Sequence, residues 1–170
     1  MQGRRGLFVY AASLVLMAGL CASAGAQTLE QQTTVYTFDG SRASQGIVPG
    51  SSTRTVTYAG QIKSTGKGGI AVRSFSLTLF YTTDGKTANV SGGNWTLTTV
   101  KEEIGSSVGG TVDSTATIAF DSKGNMSVKG LMLNISGSTS LGPASGFVRA
   151  DIDQGTKIKG TLTLTYLVIR

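Results

Sequence analysis

The stretch at residues 157–169 reads KIKGTLTLTYLVI, and large apolar side chains recur at alternate positions through most of it. Threonine, tyrosine, valine and isoleucine are typical of strands. Successive side chains of a strand point to opposite faces, so most of the large apolar residues share one face and the threonines share the other. The pattern therefore predicts a strand whose buried face carries Ile158, Leu162, Leu164, Tyr166 and Val168.

The same alternation recurs towards the N-terminus, as far as residue 34. Glycine, Asp-Gly or serine clusters interrupt it at short intervals, and no long window has convincing helical periodicity. We predict about eight strands from this pattern. They cover residues 34–39, 53–62, 70–82, 88–100, 111–121, 126–136, 146–153 and 157–169.

Short loops between these strands favour an antiparallel fold. Asp84-Gly85 is a hairpin signal, because glycine can adopt the positive φ of a tight turn. Residues 121–125 form a longer hairpin loop, and Gln154-Gly155 reverses the chain before the last strand. We predict an all-β fold, an antiparallel small β-barrel of about eight strands. The alternative is a two-sheet β-sandwich.

Two of the strands change their apolar phase. In the strand at 70–82 the apolar residues move from even to odd positions after Val72, and in the strand at 126–136 they do so after Val128. Each change requires a bulge or a break, and Gly130 lies at the second one. Bulges bend a sheet as a closed barrel requires, so these two features favour the barrel.

Residues 1–26 have the three parts of a secretory signal peptide. Arg4 and Arg5 supply the positive start, residues 7–20 are apolar, and residues 24–26 form a small-residue cleavage site of the A-x-A type. The apolar part is too short to span a bilayer comfortably as a helix. The sequence therefore predicts export and removal of this segment.

Cleavage before Gln27 would leave residues 27–170 as a single all-β exported domain. We expect the domain to be secreted or periplasmic. No second apolar stretch of transmembrane length follows, so no transmembrane anchor is expected.

Composition excludes several classes of function. After residue 26, thirteen basic residues stand against nine acidic ones, a net charge of +4, and the basic residues are scattered without interleaved aromatics. This distribution predicts no nucleic-acid partner. The chain has no histidine, and its one cysteine, Cys21, lies in the signal peptide. Histidine- or cysteine-based catalysis and typical zinc or copper sites are therefore not expected, and we predict no metal and no cofactor.

Carboxylates are the remaining acid–base candidates, and Asp151 and Asp153 form the one notable pair. They lie two residues apart, so a strand would place both on the same face. Such a pair could bind Ca²⁺ or serve in acid–base catalysis. The simpler interpretation, which we favour, is two solvated side chains that enter the turn at Gln154-Gly155, near Arg149.

Aromatic residues are the candidates for lining a ligand cavity: Trp95, Tyr58, Tyr81 and Phe120. The competing interpretation of all four is ordinary core packing. The segment 93–95, Gly-Asn-Trp, resembles the G-x-W signature of the lipocalin barrel. In lipocalins the signature marks the first strand, whereas here it lies in mid-chain. The resemblance thus implies at most a shared way of filling one barrel end, and no function is taken from it.

These observations leave three hypotheses about function. The first is a non-catalytic binding or carrier module, whose barrel mouth holds a small apolar or glycan ligand. The second is a structural envelope or matrix subunit that self-associates through its sheet edges. The third, more distant, is a glycan-active enzyme that uses carboxylates alone. It should lose activity when Asp151 or Asp153 becomes asparagine.

Overall fold

The computed structural model describes residues 28–66, 69–100 and 107–169. They form nine β-strands, and none belongs to a helix long and apolar enough to cross a membrane. The predicted signal peptide, residues 1–26, lies outside the described residues. The strands are β1 (Leu29–Ile47), β2 (Arg54–Ser64), β3 (Val72–Thr83), β4 (Thr87–Thr99), β5 (Ser107–Val112), β6 (Ala116–Phe120), β7 (Met126–Thr139), β8 (Gly142–Asp153) and β9 (Lys157–Ile169).

The strands pair in antiparallel fashion and close into a ring. Its order is β1-β2-β3-β4-β5-β7-β8-β9, after which β9 pairs with β1. The pairing of β3 with β4 closes the ring, and Leu77 lies opposite Trp95 within it. The predicted antiparallel barrel of about eight strands is confirmed. The two-sheet sandwich is excluded because the closed ring is one continuous sheet.

The ninth strand, β6, is additional to this ring and pairs with β4 and β7 beyond the end of β5. The sequence predicted one strand at 111–121, whereas residues 113–115 separate two. The interruption is anchored to β7, because the Asp113 backbone N–H donates to the Asn134 carbonyl at 2.9 Å. Ser114 also accepts a hydrogen bond from the Asn134 backbone N–H. Polar side chains and backbone groups at this point thus replace the regular ladder.

A belt of outward-facing polar side chains shows how far the strands are staggered. Neighbouring strands place these residues opposite one another in the order Thr57, Thr78, Asn94, Thr111, Ser136, Ser145, Thr165 and Thr33. Followed once around the ring, the belt returns to β1 at Thr33. It began at Thr57 of β2, whose partner on β1 is Ser44, so one circuit moves the position on β1 from residue 44 to residue 33. Such a stagger accompanies the strand tilt of closed barrels. It also explains why β1 is far longer than the predicted 34–39.

Both predicted bulges are present. The register between β3 and β4 shifts between Val72 and Ser74. The register between β7 and β8 shifts between Val128 and Leu131, where Gly130 has a φ of 66°. This left-handed conformation is readily available to glycine, which explains the residue at this position.

Side chains fill the interior of the ring. Of the inner face predicted for residues 157–169, Ile158, Leu162, Leu164 and Tyr166 are buried and Val168 is partly buried. The fully buried aromatic residues include Trp95 and Tyr58. Burial of this apolar surface is the main contribution to the stability of the barrel.

Ile70 covers one end of the barrel, which we call the plugged end. Its backbone N–H donates to the Tyr166 hydroxyl at 2.9 Å, and its carbonyl accepts from the Tyr36 hydroxyl at 3.3 Å. Thr34 and Tyr166 share a further hydrogen bond of 3.0 Å. The backbone of the covering segment is thus satisfied inside the barrel, as burial requires. The loops at 48–53, 84–86, 121–125 and 154–156 lie at the opposite end.

Candidate functional site

At the end opposite the plug, β1 separates from β9. Their pairing ends at Ser41 opposite Lys157, while β1 continues to pair with β2 as far as Ile47. A bulge directly after Arg42 marks the separation. Because bulges bend the strand that carries them, the β1–β2 hairpin becomes one wall of an opening. The β6–β7 loop and the turn at 154–156 form the other wall.

A cleft of about 130 Å³ lies between these walls. Arg42, Gln45 and Asn125 supply its charged and amide groups, and Tyr58 and Phe120 supply aromatic rings. We call this opening the end cleft. No carboxylate side chain lines it among the described residues, so its one formal charge there is the guanidinium. The other lining residues are Val56, Gly124, Met126 and Gly155.

Hydrogen bonds hold the charged wall of the end cleft in place. Arg42 Nη1 donates to Gln45 Oε1 at 3.1 Å, and Gln45 Nε2 donates to the Tyr81 hydroxyl at 3.2 Å. The Arg42 backbone N–H donates to the Thr156 carbonyl at 2.8 Å. Arg42 is therefore held at both walls. Its backbone bonds the turn at 154–156, and its guanidinium bonds Gln45 on its own strand. Its described side-chain partner is neutral.

Tyr58 lies beneath the end cleft and is itself fully buried. Its hydroxyl donates a long hydrogen bond of 3.4 Å to the Gly155 carbonyl. Burial raises the pKa of Tyr58 to about 12, although the charge of Arg42 opposes the shift and Tyr81 adds to it. The phenol therefore stays protonated at neutral pH and can donate but not act as a base.

The structure brings three of the four predicted cavity residues to this end of the barrel. Tyr58 and Phe120 line the end cleft, and Tyr81 contacts it through Gln45. Trp95 lies elsewhere: it is buried in the core, opposite Leu77 and away from the cleft. Its indole Nε1 donates to a backbone carbonyl of β7 at 2.9 Å.

The predicted acidic pair lies on the outer wall, away from the end cleft. Asp151 is opposite Lys159 and Asp153 is opposite Lys157 across β8 and β9. Asp151 Oδ1 also accepts a 2.7 Å hydrogen bond from the Gly130 backbone N–H, which stabilises the bulge of β7. These partners favour a structural role. No group of acidic residues suited to holding a metal ion occurs among the described residues.

A depression of about 420 Å³ surrounds this pair and is larger than the end cleft. Three lysines and three aspartates line it, so its charges are balanced, and its lining contains no aromatic residue. We regard the end cleft as the better candidate site because it combines aromatic rings with hydrogen-bond donors. Ligand sites commonly combine apolar or aromatic side chains with a few placed polar groups, and the end cleft is a more polar example of this arrangement.

Sequence reasoning missed Arg42, Gln45 and Asn125. Arg42 and Gln45 lie at 40–47, where polar residues and glycine conceal the strand pattern, and Asn125 ends a turn. No local signal distinguishes these three residues from other surface residues, because the stagger of the barrel alone brings them together. No family model, curated protein or solved structure matches this chain. The chemistry of the end cleft is therefore inferred from its own residues.

Proposed function

We propose that this protein is an exported, non-catalytic binding module that holds a small glycan in the end cleft. One observation carries the proposal: a partly exposed ring, Phe120, lies in the same small cleft as the side chains of Arg42, Gln45 and Asn125. Sugars present C–H groups to an aromatic ring and hydroxyls to amides and guanidinium groups. The volume of about 130 Å³ suits one sugar ring rather than a long chain buried inside the protein.

The filled interior supports a ligand at the barrel end rather than in the lumen. Trp95 and Tyr81 are almost completely buried, and their polar atoms already have hydrogen-bond partners. An apolar ligand of the lipocalin kind would need side chains of the core to move aside, which close packing opposes. Of the two ligand classes considered from the sequence, the polar lining of the end cleft favours the glycan.

Binding without catalysis is the better interpretation of the same groups. Glycoside hydrolysis ordinarily uses two carboxyl groups on either side of the scissile bond. The described lining of the end cleft has none, and Asp151 and Asp153 lie opposite lysines on the outer wall. The end cleft can therefore hold and orient a sugar, but its described residues offer no general acid for cleaving it.

A direct test is to screen the purified mature protein against immobilised glycans and to measure the best binders by calorimetry. Phe120→Ala should weaken binding at least about tenfold, since stacking on an aromatic ring is a main contribution. Phe120→Leu, which retains most of the packing, should weaken it similarly while the protein remains folded by circular dichroism. The matched control is Phe147→Ala, a partly exposed ring on the outer wall. Equal effects of the two alanine variants would contradict the proposal.

A second candidate function, the structural subunit, is favoured by one feature of the plugged end. There β1 at 29–34 pairs with the end of β9, but it has no β2 partner, and β9 has no β8 partner beyond Thr165. Leu29 and Ile169 are 58% and 47% exposed on this ribbon. Unpaired strand edges can add another strand. Sedimentation should then detect oligomers that dissociate in the Leu29→Lys variant. A protein that is monomeric at all concentrations would exclude the structural subunit.

A further inference from the structure

We infer that the ligand of the end cleft is an acidic sugar whose carboxylate pairs with Arg42. This inference rests on the proposed function and specifies the ligand class. Arg42 has five N–H donors in a planar fork, and its described side-chain bond uses one nitrogen, Nη1, toward Gln45. The fork matches the two oxygens of a carboxylate, and such pairs form short, charge-assisted hydrogen bonds.

The position of the guanidinium supports an anionic partner. Nη1 lies 3.8 Å from the Cβ position that a side chain at Gly155 would have, so the group reaches across towards the far wall. Gly155 leaves room there, and Tyr58, whose phenol remains neutral, contributes no competing negative charge. A bound anion would therefore meet a positive charge that no described lining residue neutralises.

The carboxylate closest in sequence to the cleft lining is already engaged. Asp121 Oδ1 accepts from the backbone N–H groups of Lys123 and Asn125, at 2.8 Å and 2.9 Å. These bonds, chiefly the one from the Asn125 backbone N–H, hold the pKa of the Asp121 carboxyl below its usual value. The ionised side chain of Asp121 thus stabilises the loop that carries Asn125.

The basic groups in the depression on the outer wall differ from Arg42, because three aspartates line that depression with them. On the outer wall, Lys157 and Lys159 lie opposite Asp153 and Asp151 across the strands. An acidic ligand would meet three aspartates beside the lysines there, whereas in the end cleft it would only share Arg42 with neutral Gln45. Charge complementarity therefore assigns the carboxylate of the ligand to Arg42.

The experiment compares pairs of probes that differ only in the carboxylate. Methyl glycosides of glucose, galactose and mannose are each titrated beside the methyl glycoside of the corresponding uronic acid, at low and at moderate salt. We expect at least one uronic acid to bind about tenfold more tightly than its neutral partner, as a charge-assisted pair predicts. The preference should decrease with added salt, because exposed charges are screened.

Two variants with the same change in net charge test whether Arg42 is the source of the preference for the uronic acid. Arg42→Gln should abolish the preference for the uronic acid but leave weak, Phe120-dependent binding of the neutral sugar. Arg149→Gln, on the outer wall of β8 opposite Thr161, should retain the preference. Equal binding of neutral and acidic sugars would overturn this inference and leave the proposed function standing. If neither kind of sugar binds the unchanged protein, both fail.

Discussion

The indole of Trp95 occupies space that any side chain at Gly137 would need. A Cβ at Gly137 would lie 2.8 Å from Trp95 Cζ2 and 2.5 Å from the Gly109 carbonyl oxygen. The indole reaches across the short strand β5 to do so, and its Nε1 donates to the Ser136 carbonyl at 2.9 Å. The core of this barrel is thus fitted around one large ring that is laid over a glycine.

Gly137→Ala should therefore destabilise the protein although it adds one methyl group. Overpacking of a well-filled core costs about 1–3 kcal/mol, because rings and backbone must shift. Denaturant unfolding measures the loss. Gly66→Ala is the matched control, since no described residue beyond its chain neighbours lies within 4 Å of the added Cβ there. If both variants lose the same stability, the close approach of Trp95 and the Gly109 carbonyl does not restrict this position.

The fluorescence of Trp95, the one tryptophan of the chain, separates a lumen site from an end site. The ring is 1% exposed and outside the end cleft. A saturating sugar should leave its emission maximum unchanged, whereas unfolding should shift the maximum to longer wavelength because water then reaches the ring. A shift on binding, with the protein still folded, would place the ligand in the interior instead.

Alkaline pH should destabilise the barrel through its buried phenols. The pKa of Tyr58 rises from 10.0 to about 12 in the folded protein, so its contribution is complete below pH 10 and is lost as pH rises towards 12. Burial, with the neighbouring Tyr166, also raises the pKa of Tyr36. Tyr58→Phe and Tyr36→Phe should each flatten the decline in stability between pH 10 and pH 12. Unchanged slopes in both variants would contradict this assignment.

The hydrogen bond from Gly130 to Asp151 predicts different effects of two substitutions. Asp151→Ala removes the acceptor of the bulge N–H and should cost about 1 kcal/mol of unfolding free energy. Asp151→Asn retains an oxygen in the same position and should cost much less. Neither change should alter sugar affinity, because Asp151 does not line the end cleft. A loss of affinity in the folded asparagine variant would instead revive the carboxylate-based hypothesis.

The plug at Ile70 should open locally when its hydroxyl partner is removed. Tyr166→Phe leaves the Ile70 backbone N–H without its 2.9 Å acceptor. Hydrogen exchange of this amide should therefore accelerate under conditions in which the barrel as a whole stays folded. Tyr81→Phe is the control, because its hydroxyl binds Gln45 at the other end of the barrel. Acceleration of Ile70 exchange in both variants would indicate general rather than local destabilisation.

Several features of the fold could be predicted because their signals are local. Residues 157–169 alternate so regularly that their buried face was evident, and the phase change after Val128 located the bulge at Gly130. The second half of β1 was missed, because its residues are polar or small and it is a strand only through its pairing with β2. The predicted strand at 111–121 was divided for a similar reason, since β7 supplies the hydrogen bonds at the break.

By itself, the sequence determined an all-β chain, its main inner faces and two of its bulges, since alternation within a strand is set by neighbouring residues. Closure into a ring and the joining of Arg42 with Phe120 in one cleft were decided only by the tertiary structure. These features depend on which strand edges meet and at what register. Register is a relation between residues far apart in the chain, so no local pattern records it.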